Sequence, residues 1–471
     1  MSLITMKFGG TSVGSVEAIR QVADIIEQQL AEGHQVVTVV SAMSGVTNAL
    51  IQAAYESEHG DVGSYRRVAS ELRQRHVAAA NVLVSVANRR ARLIDEIRML
   101  LDDFEQLCHS ISIMREVTPR GMDVVSSLGE RLSVRLVAEH LIDRGVDSQA
   151  IEASRLIVTN DRFQNAAPDM DATRENVAAR LLPLVGRGVA PVITGFLAAT
   201  SNGTITTLGR GGSDYSAGII AACLPADELW IWSDVDGVMS TDPRLTDEAR
   251  TIATLSYGEV SEMAYFGARV LHPRTILPVM DLGMSIRVLN TFNPAGEGTL
   301  IQPEPQMTPG RIKAITTITD VHMLSVYGRG MVGVPGIAGR TFTAVAKVGA
   351  SMLMFAQSSS EQSFAFVIPA STSHFVKEAI HEELGLEIAR KDVADVRIME
   401  DVVIVTAVGA GMHGTPGVAG RIFGALGKVG INVLAIAQGA SEFSISIVID
   451  SMNAEQAVNT LHALIHTTGT Q

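Results

Sequence analysis

Residues 3–41 read LITMKFGGTSVGSVEAIRQVADIIEQQLAEGHQVVTVVS. LITMKF, Leu3 to Phe8, is a short apolar run that reads as a strand. After two glycines, a Thr and a Ser, apolar residues recur at helical spacing: Ile19, Val22, Ala23, Ile26 and Leu30. Gly33 stops that helix, and QVVTVVS (35–41) is a β-branched run of the kind buried in a parallel sheet. Strand, helix and strand in that order imply a right-handed crossover and an α/β class. The loop between them has the layout of a phosphate site. Gly9 and Gly10 allow close backbone approach and φ > 0, successive N–H groups form a nest for oxygens, and Lys7 stands at the strand end. Yet the lysine precedes the glycines, and no Gly-Lys-Ser/Thr closes the loop as in the mononucleotide P-loop. Taken alone, the stretch fits an ordinary tight turn as well as a phosphate nest.

Downstream, residues 64–145 are helix-rich and carry many arginines, which fits solvated helix faces or a lid or dimer surface. LIVT (156–159), a helical segment near 172–185, APVITGF (190–196), ELWIWSDV (228–235) and SIRVLN (285–290) continue the β/α rhythm. Between Asn293 and Arg311 lie four of the fifteen prolines, so a stiff connection and the main domain boundary are expected there. Beyond it the chain repeats itself. GRGMVGVPGIAGRTFTAVAKVGASMLMFAQSSSEQSFAFVI starts at Gly328 and GAGMHGTPGVAGRIFGALGKVGINVLAIAQGASEFSISIVI at Gly409, an offset of 81 residues with about half the positions identical. Each copy reads strand, glycine-rich turn, helix, strand, turn, strand. Gly336 and Gly417, each preceded by Pro, open the helix and leave an anion-binding backbone end.

The 471 residues predict several domains, and 46% hydrophobic content supplies a sizeable core. A net charge of −13 argues against a nucleic-acid partner, and obliges any site for an anion to gather its own cations. Cys108 and Cys223 form no CxxC pattern, so neither a disulfide framework nor structural zinc is expected, and a cytoplasmic location fits. No signal peptide or membrane span is expected.

Three further motifs carry chemistry. TTLGRGGSDYSA (206–217) sets Arg210 before Gly211, Gly212, Ser213 and Asp214 at a strand-to-helix junction, where a guanidinium fork suits a carboxylate or phosphate. IWSDVDGVMSTDPR (231–244) gathers Asp234, Asp236 and Asp242 without the spacing of a calcium loop, and reads as a polar turn or a nucleotide loop. SSLGERLS (126–133) offers Glu130 to a pocket or to solvent. HExxH does not occur, so catalytic zinc is unsupported and no protein-held metal is expected.

In their order KFGGTSV, VVSAMSGVTN, SLGERLS, TTLGRGGSDYSA, WSDVDGV with STDPR, and FGARVLHPRT resemble the aspartate kinase family over essentially the whole chain. The resemblance implies an amino-acid-kinase-like three-layer α/β/α sandwich with a mostly parallel sheet, plus two C-terminal α+β ACT-like (βαββαβ) domains. The expected bounds are a catalytic domain at 1–298, a linker at 299–314, and regulatory modules at 315–395 and 396–471. The short stretch after the second copy implies a monofunctional kinase. The implied reaction is phosphorylation of the side-chain carboxylate of L-aspartate by ATP with Mg²⁺. By the same resemblance Lys7 and Asp214 are catalytic, and Ser41, Thr47, Glu130, Arg210, Gly211, Gly212 and Ser213 bind aspartate. Lys7, Phe8, Gly9, Gly10, Ser233, Asp234, Met239, Arg244, Arg269 and Val270 fall at nucleotide positions. Arg269 stands where the family usually has Lys, and Met239 where Tyr is common. The acceptor carboxylate is already ionised at neutral pH, so no general base is required and Asp214 is assigned to orientation. Gln357 and Gln438, at equivalent repeat positions, are the implied contacts of an amino-acid effector, threonine ahead of lysine or of both together. A homodimer or homotetramer through the ACT modules completes the expectation.

Overall fold

A computed structural model of the chain describes residues 2–268, 271, 273–304, 310–331, 334–358, 362–438 and 443–465. The chain forms two compact units. The first comprises Met1–Val238, Thr251–Tyr257 and Leu271–Glu304; the second comprises Met239–Arg250, Gly258–Val270 and Pro305–Gln471.

An eight-stranded sheet organises the first unit. Its order is Thr254–Ser256, Thr299–Gln302, Ser285–Asn290, Glu228–Ser233, Leu3–Phe8, Gln35–Val40, Ala190–Thr194 and Ser148–Ile151. The last six are parallel; Thr299–Gln302 runs against Ser285–Asn290, and Thr254–Ser256 runs with Thr299–Gln302. The opening strand sits centrally and is buried along its length, as a both-faces-covered parallel strand requires. The helix Val16–Ala31 follows the predicted stripe, with Ile19, Val22, Ala23 and Ile26 buried and Ser15 accepting the Ala18 N–H at 3.2 Å as N-cap. Because the central strands are parallel, the loops after Phe8 and Val40 open at the same edge of the sheet. Ligands of open α/β sheets bind outside these carboxyl ends.

The arginine-rich region forms the helices Val62–Leu83, Ala87–Met114 and Pro119–Asp143. Many of its arginines are surface ion-pair partners, Arg73 with Asp102 and Glu105 for example. Arg75 is different, as the site shows. No helix among the described residues is long and apolar enough to cross a membrane.

In the second unit a six-stranded sheet runs Met354–Gln357, Ser363–Pro369, Ala314–Tyr327, Asp395–Val408, Ser444–Asp450, Ala435–Ala437. Gly336 and Gly417, at φ +95° and +87°, cap the helices Ile337–Lys347 and Val418–Lys428 as the repeat predicts. The two copies are interleaved rather than placed in tandem. Ile312 and Ile315 pack with Val403, Val405, Ile422, Leu426 and Leu461, so the chain begins in the second module. Leu324 and Val326 pack with Ile337, Phe366, Ile380 and Val396 in the first. The passage between modules is a break in one long strand, where Asp320 takes φ +56° and the register shifts between Ile318 and Val321. Asp395–Val408 crosses back in the same way.

These facts correct the expected bounds. The segment 299–314 is not all linker, because Thr299–Gln302 hydrogen-bonds into the first sheet. A boundary between modules at 395/396 cuts a continuous strand, and 314–318 belongs to the second module's core. Met239–Arg250 and Gly258–Val270 fall within the second unit, although both precede the proline-rich stretch. Glu259 explains part of this. It is fully buried, its Oε2 lies 2.9 Å from Lys313 Nζ, and its Oε1 accepts the Ala410 N–H at 2.9 Å. Ser240 adds a second tie, its Oγ 2.8 Å from His462 Nε2.

Candidate active site

The first unit holds a cavity of about 550 Å³ at the carboxyl ends of its parallel strands. Lys7, Ser41, Thr47, Glu130, Arg210, Gly211, Gly212, Ser213 and Asp214 all line it. Residues as far apart in sequence as Lys7 and Asp214 are thereby brought to one place.

Two glycine-bearing loops build one wall. The Gly9 N–H donates to Trp232 O at 3.2 Å, and the Ser44 N–H donates to Gly10 O at 3.0 Å. Neither Gly9 nor Gly10 has positive φ, so the expectation of left-handed backbone there is wrong. Glycine is favoured at 10 because a Cβ would stand 3.0 Å from Ala42 O, a tight contact. Arg75 fastens both loops from behind, donating to Gly14 O at 2.9 Å and to Ser44 O at 3.0 Å.

The helix Pro119–Asp143 supplies Glu130. Gly129 lets it approach, since a Cβ there would lie 2.7 Å from the Ala42 Cβ. Glu130 is 4% exposed, and its Oε2 has no hydrogen-bond partner among the described residues. Burial pushes its carboxyl up to about 8, against an Ala42 backbone hydrogen bond and the nearby Lys7 charge. A buried carboxyl with an open oxygen is suited to receive a cation from a ligand.

On the same cavity, Gly211 at φ +71° caps the helix Gly212–Cys223, whose first turn carries Asp214. A carboxylate is favoured there by the helix dipole. Lys7, 9% exposed, brings its Nζ to 2.5 Å from Asp214 Oδ1. Arg210 is exposed, at the apex of the loop between Gly209 and Gly211.

Other expected residues lie elsewhere. Phe8 is fully buried and stacks on Trp232 with ring centroids 5.9 Å apart. Its side chain is therefore core rather than a nucleotide contact, and only its backbone remains for that role. Ser233 ends the strand Glu228–Ser233 and Asp234 is exposed beside it. Met239 and Arg244 belong to the second unit, and Arg244 is forked onto Asp242 with Nη2 to Oδ2 at 2.5 Å. Asp236 accepts from the Asn290 and Asn293 amides, so the three aspartates of that motif have separate tasks. Arg269 and Val270 lie outside the described residues. No group of three His, Cys, Asp or Glu among the described residues is placed to hold a metal. Gln357 lines a separate cavity of about 330 Å³ in the first ACT module, beside Val334, Pro335, Gly336 and Ile337; Gln438 is exposed.

Sequence reasoning missed Asp123, Gln164 and Phe196, which also line the catalytic cavity. Phe196 has φ +68°, and the absence of a Cβ on Gly212 leaves room for its ring. For Asp123 a signal existed: it lies seven residues before Glu130, on the same helix face.

A strand-end lysine, a capped helix start and a buried glutamate meet around one cavity. Residues 2–290 match the model described as "Amino acid kinase family", and residues 324–384 and 405–464 match "ACT domain". The chain belongs to the amino acid kinase family, and its relatives within that family are aspartokinases. It is 36% identical over 463 residues to the bifunctional aspartokinase/homoserine dehydrogenase 1, chloroplastic, of Zea mays, covering 97% of this chain and 50% of that one. The chain thus spans about half the length of such bifunctional relatives. To the aspartokinase of Schizosaccharomyces pombe it is 32% identical over 487 residues, covering 98% of this chain and 92% of that one. The crystal structure of E. coli aspartokinase III in complex with aspartate and ADP (R-state) is similar with a TM-score of 0.80 at 29% identity, covering 98% of this chain and 99% of that one. The same enzyme in complex with lysine and aspartate (T-state) gives 0.79 at the same identity and coverage.

Proposed function

We propose that the chain is an aspartate kinase, transferring the γ-phosphoryl group of ATP to the side-chain carboxylate of L-aspartate to give 4-phospho-L-aspartate and ADP. The carrying observation is the meeting, at one cavity, of Glu130 with an open oxygen and the Lys7–Asp214 pair. Glu130 takes the substrate ammonium and gives up its proton as it does so. Arg210 takes a carboxylate through its guanidinium fork. The acceptor oxygen attacks phosphorus as an anion and the bond to the leaving ADP oxygen breaks, so no proton need be removed. Lys7 screens the repulsion between the two anions, and Asp214 fixes the Lys7 ammonium between them. Mg²⁺ bound with the nucleotide would add to that screening, and Asp214 is the residue of this chain proposed to hold it. Ser233, Asp234, Met239, Arg244, Arg269 and Val270 are proposed on the nucleotide side.

Glu130 also bears on the rival acceptors. An N-acetylated amino acid has no ammonium, and would leave a buried carboxyl facing an amide. An ADP-release assay with aspartate, glutamate and N-acetylglutamate decides: turnover with glutamate or N-acetylglutamate and none with aspartate overturns the reading.

The first ACT cavity is proposed to bind a feedback amino acid, with the Gly336-capped helix start for its carboxylate and Gln357 for its polar end. Threonine is the preferred effector. A thermal shift given by lysine but not by threonine reverses that preference. A cytoplasmic homodimer or homotetramer through the ACT modules belongs to the same proposal, and sedimentation checks the assembly.

A further inference from the structure

Asp123 projects from the helix Pro119–Asp143 two turns before Glu130 and is completely buried. Its carboxylate carries four hydrogen-bond contacts, all from two segments of chain beyond its own helix. Oδ1 accepts the Thr207 hydroxyl at 2.8 Å and Oδ2 the Thr207 N–H at 3.0 Å. The Gln164 N–H lies 3.0 Å from both oxygens. No cation pairs with it among the described residues, and burial pushes its carboxyl upward against these donors. A buried carboxylate kept by two backbone amides and a hydroxyl is costly to maintain, and the helix could have ended its core face with an apolar residue.

What the carboxylate holds is the way into the acceptor loop. Thr207 ends the strand Ile205–Thr207, three residues before Arg210. Gln164 sits in left-handed backbone, at φ +66°, and its carbonyl oxygen would be 2.8 Å from a Cβ on Gly209. Gly209 and Gly211, at φ +78° and +71°, flank Arg210 and give its loop freedom that a tether must remove. Asp123, Gln164 and Thr207 all line the same cavity as Glu130 and Arg210.

We infer that Asp123 is a positioning residue: by joining the helix that carries Glu130 to the two segments that bracket the Arg210 loop, it sets the span between the ammonium acceptor and the carboxylate fork, and hence the length of amino acid accepted. This rests on the reading that the cavity holds an amino-acid acceptor. Aspartate and glutamate differ by one methylene, so a loop free to shift by about 1 Å loses the distinction.

The test is Asp123→Asn, a near-isosteric change that turns an acceptor toward the N–H groups into a donor. Initial rates are taken with aspartate and with glutamate at saturating ATP, alongside the KM for ATP and a thermal melt. The expected result is a rise of at least tenfold in the KM for aspartate and a fall of at least tenfold in the aspartate-to-glutamate ratio of kcat/KM, with the KM for ATP within twofold of the parent. Equal loss for both acceptors, or an unchanged ratio, overturns the inference. If the Asn variant does not fold, Thr207→Val removes only the hydroxyl tie and is expected to lower the same ratio three- to tenfold; an unchanged ratio there overturns it too. The unmodified chain serves as the control: absence of aspartate turnover in it refutes the proposed reaction, whereas the inference about Asp123 is judged on the change in ratio alone.

Discussion

Glu130 in the first unit and Glu259 in the second are both buried on helices, and they are put to opposite uses. Glu259 is satisfied by the chain itself, with Lys313 on one oxygen and the Ala410 amide on the other. Glu130 keeps one oxygen without a partner among the described residues, and its carboxyl is pushed up to about 8. Glu259 fastens a segment in place; Glu130 holds an open oxygen for a cation from outside. Burial alone therefore does not separate structural from functional carboxyls, but the state of their hydrogen bonds does.

The largest expected effect tests the saturated partner. Glu259→Ala leaves the Lys313 ammonium buried without its main counter-charge, which should cost about 3–5 kcal/mol of stability. Urea denaturation followed by circular dichroism measures it, and a loss under about 1 kcal/mol would show that the pair is ornamental.

Glu130→Gln should act in the other direction on the ligand-free protein. A carboxyl whose folded value lies above its ordinary one of 4.5 contributes fully below about pH 4.5, and that contribution fades as pH rises through about 8. The Gln variant, having no such charge to bury, should gain on the parent by up to a few kcal/mol between pH 5 and 9. Its kcat/KM for aspartate should fall about 10- to 100-fold through loss of a charged hydrogen bond. Parallel stability curves for the two proteins across that range would contradict the assignment.

The same open oxygen predicts proton release on substrate binding. Below pH 8 the KM for aspartate should drop about tenfold per unit as pH rises, then level off. Calorimetry at pH 7 in two buffers of different ionisation enthalpy should report close to one proton released per aspartate; zero would mean that Glu130 is already charged.

In the first ACT module, Gln357→Ala should weaken the effector's thermal shift by about 1 kcal/mol of binding, roughly fivefold, and leave kcat unchanged. Gln438→Ala, exposed like Gln357 but not among the residues lining that cavity, should do less. The smallest effect is expected from Arg340→Ala. Its ion pairs with Glu383 and Glu387 lie near the surface, so the melt should change by at most about 1 kcal/mol.

Much of this could be read from the chain in advance. Strand Leu3–Phe8 and its crossover were legible because burial on both faces leaves a mostly apolar run, followed by a helical stripe and the β-branched QVVTVV. The repeat was legible because Gly336 and Gly417 are demanded by the same left-handed cap. Lys7, Glu130, Arg210 and Asp214 sit in motifs long enough to be recognised, and the structure brings them together. Three things were hidden. The interleaving of the modules depends on strand pairing between Thr316 and Thr406, which leaves no local pattern. Thr299–Gln302 is a four-residue strand beside prolines and glycines, where composition points to a loop. Asp123 looks like any helical aspartate until the partners from 164 and 207 are seen.

The break at Asp320 has a consequence for how this chain is made. Synthesis delivers Ala314–Ile318 first, but the partner strand of those residues emerges only after the whole first module has been translated. Until then the second module holds one unpaired strand through roughly ninety residues of further synthesis. A chaperone or a neighbouring chain has its best opportunity during that interval, and a gene cut anywhere between 319 and 401 would strand that strand from its sheet.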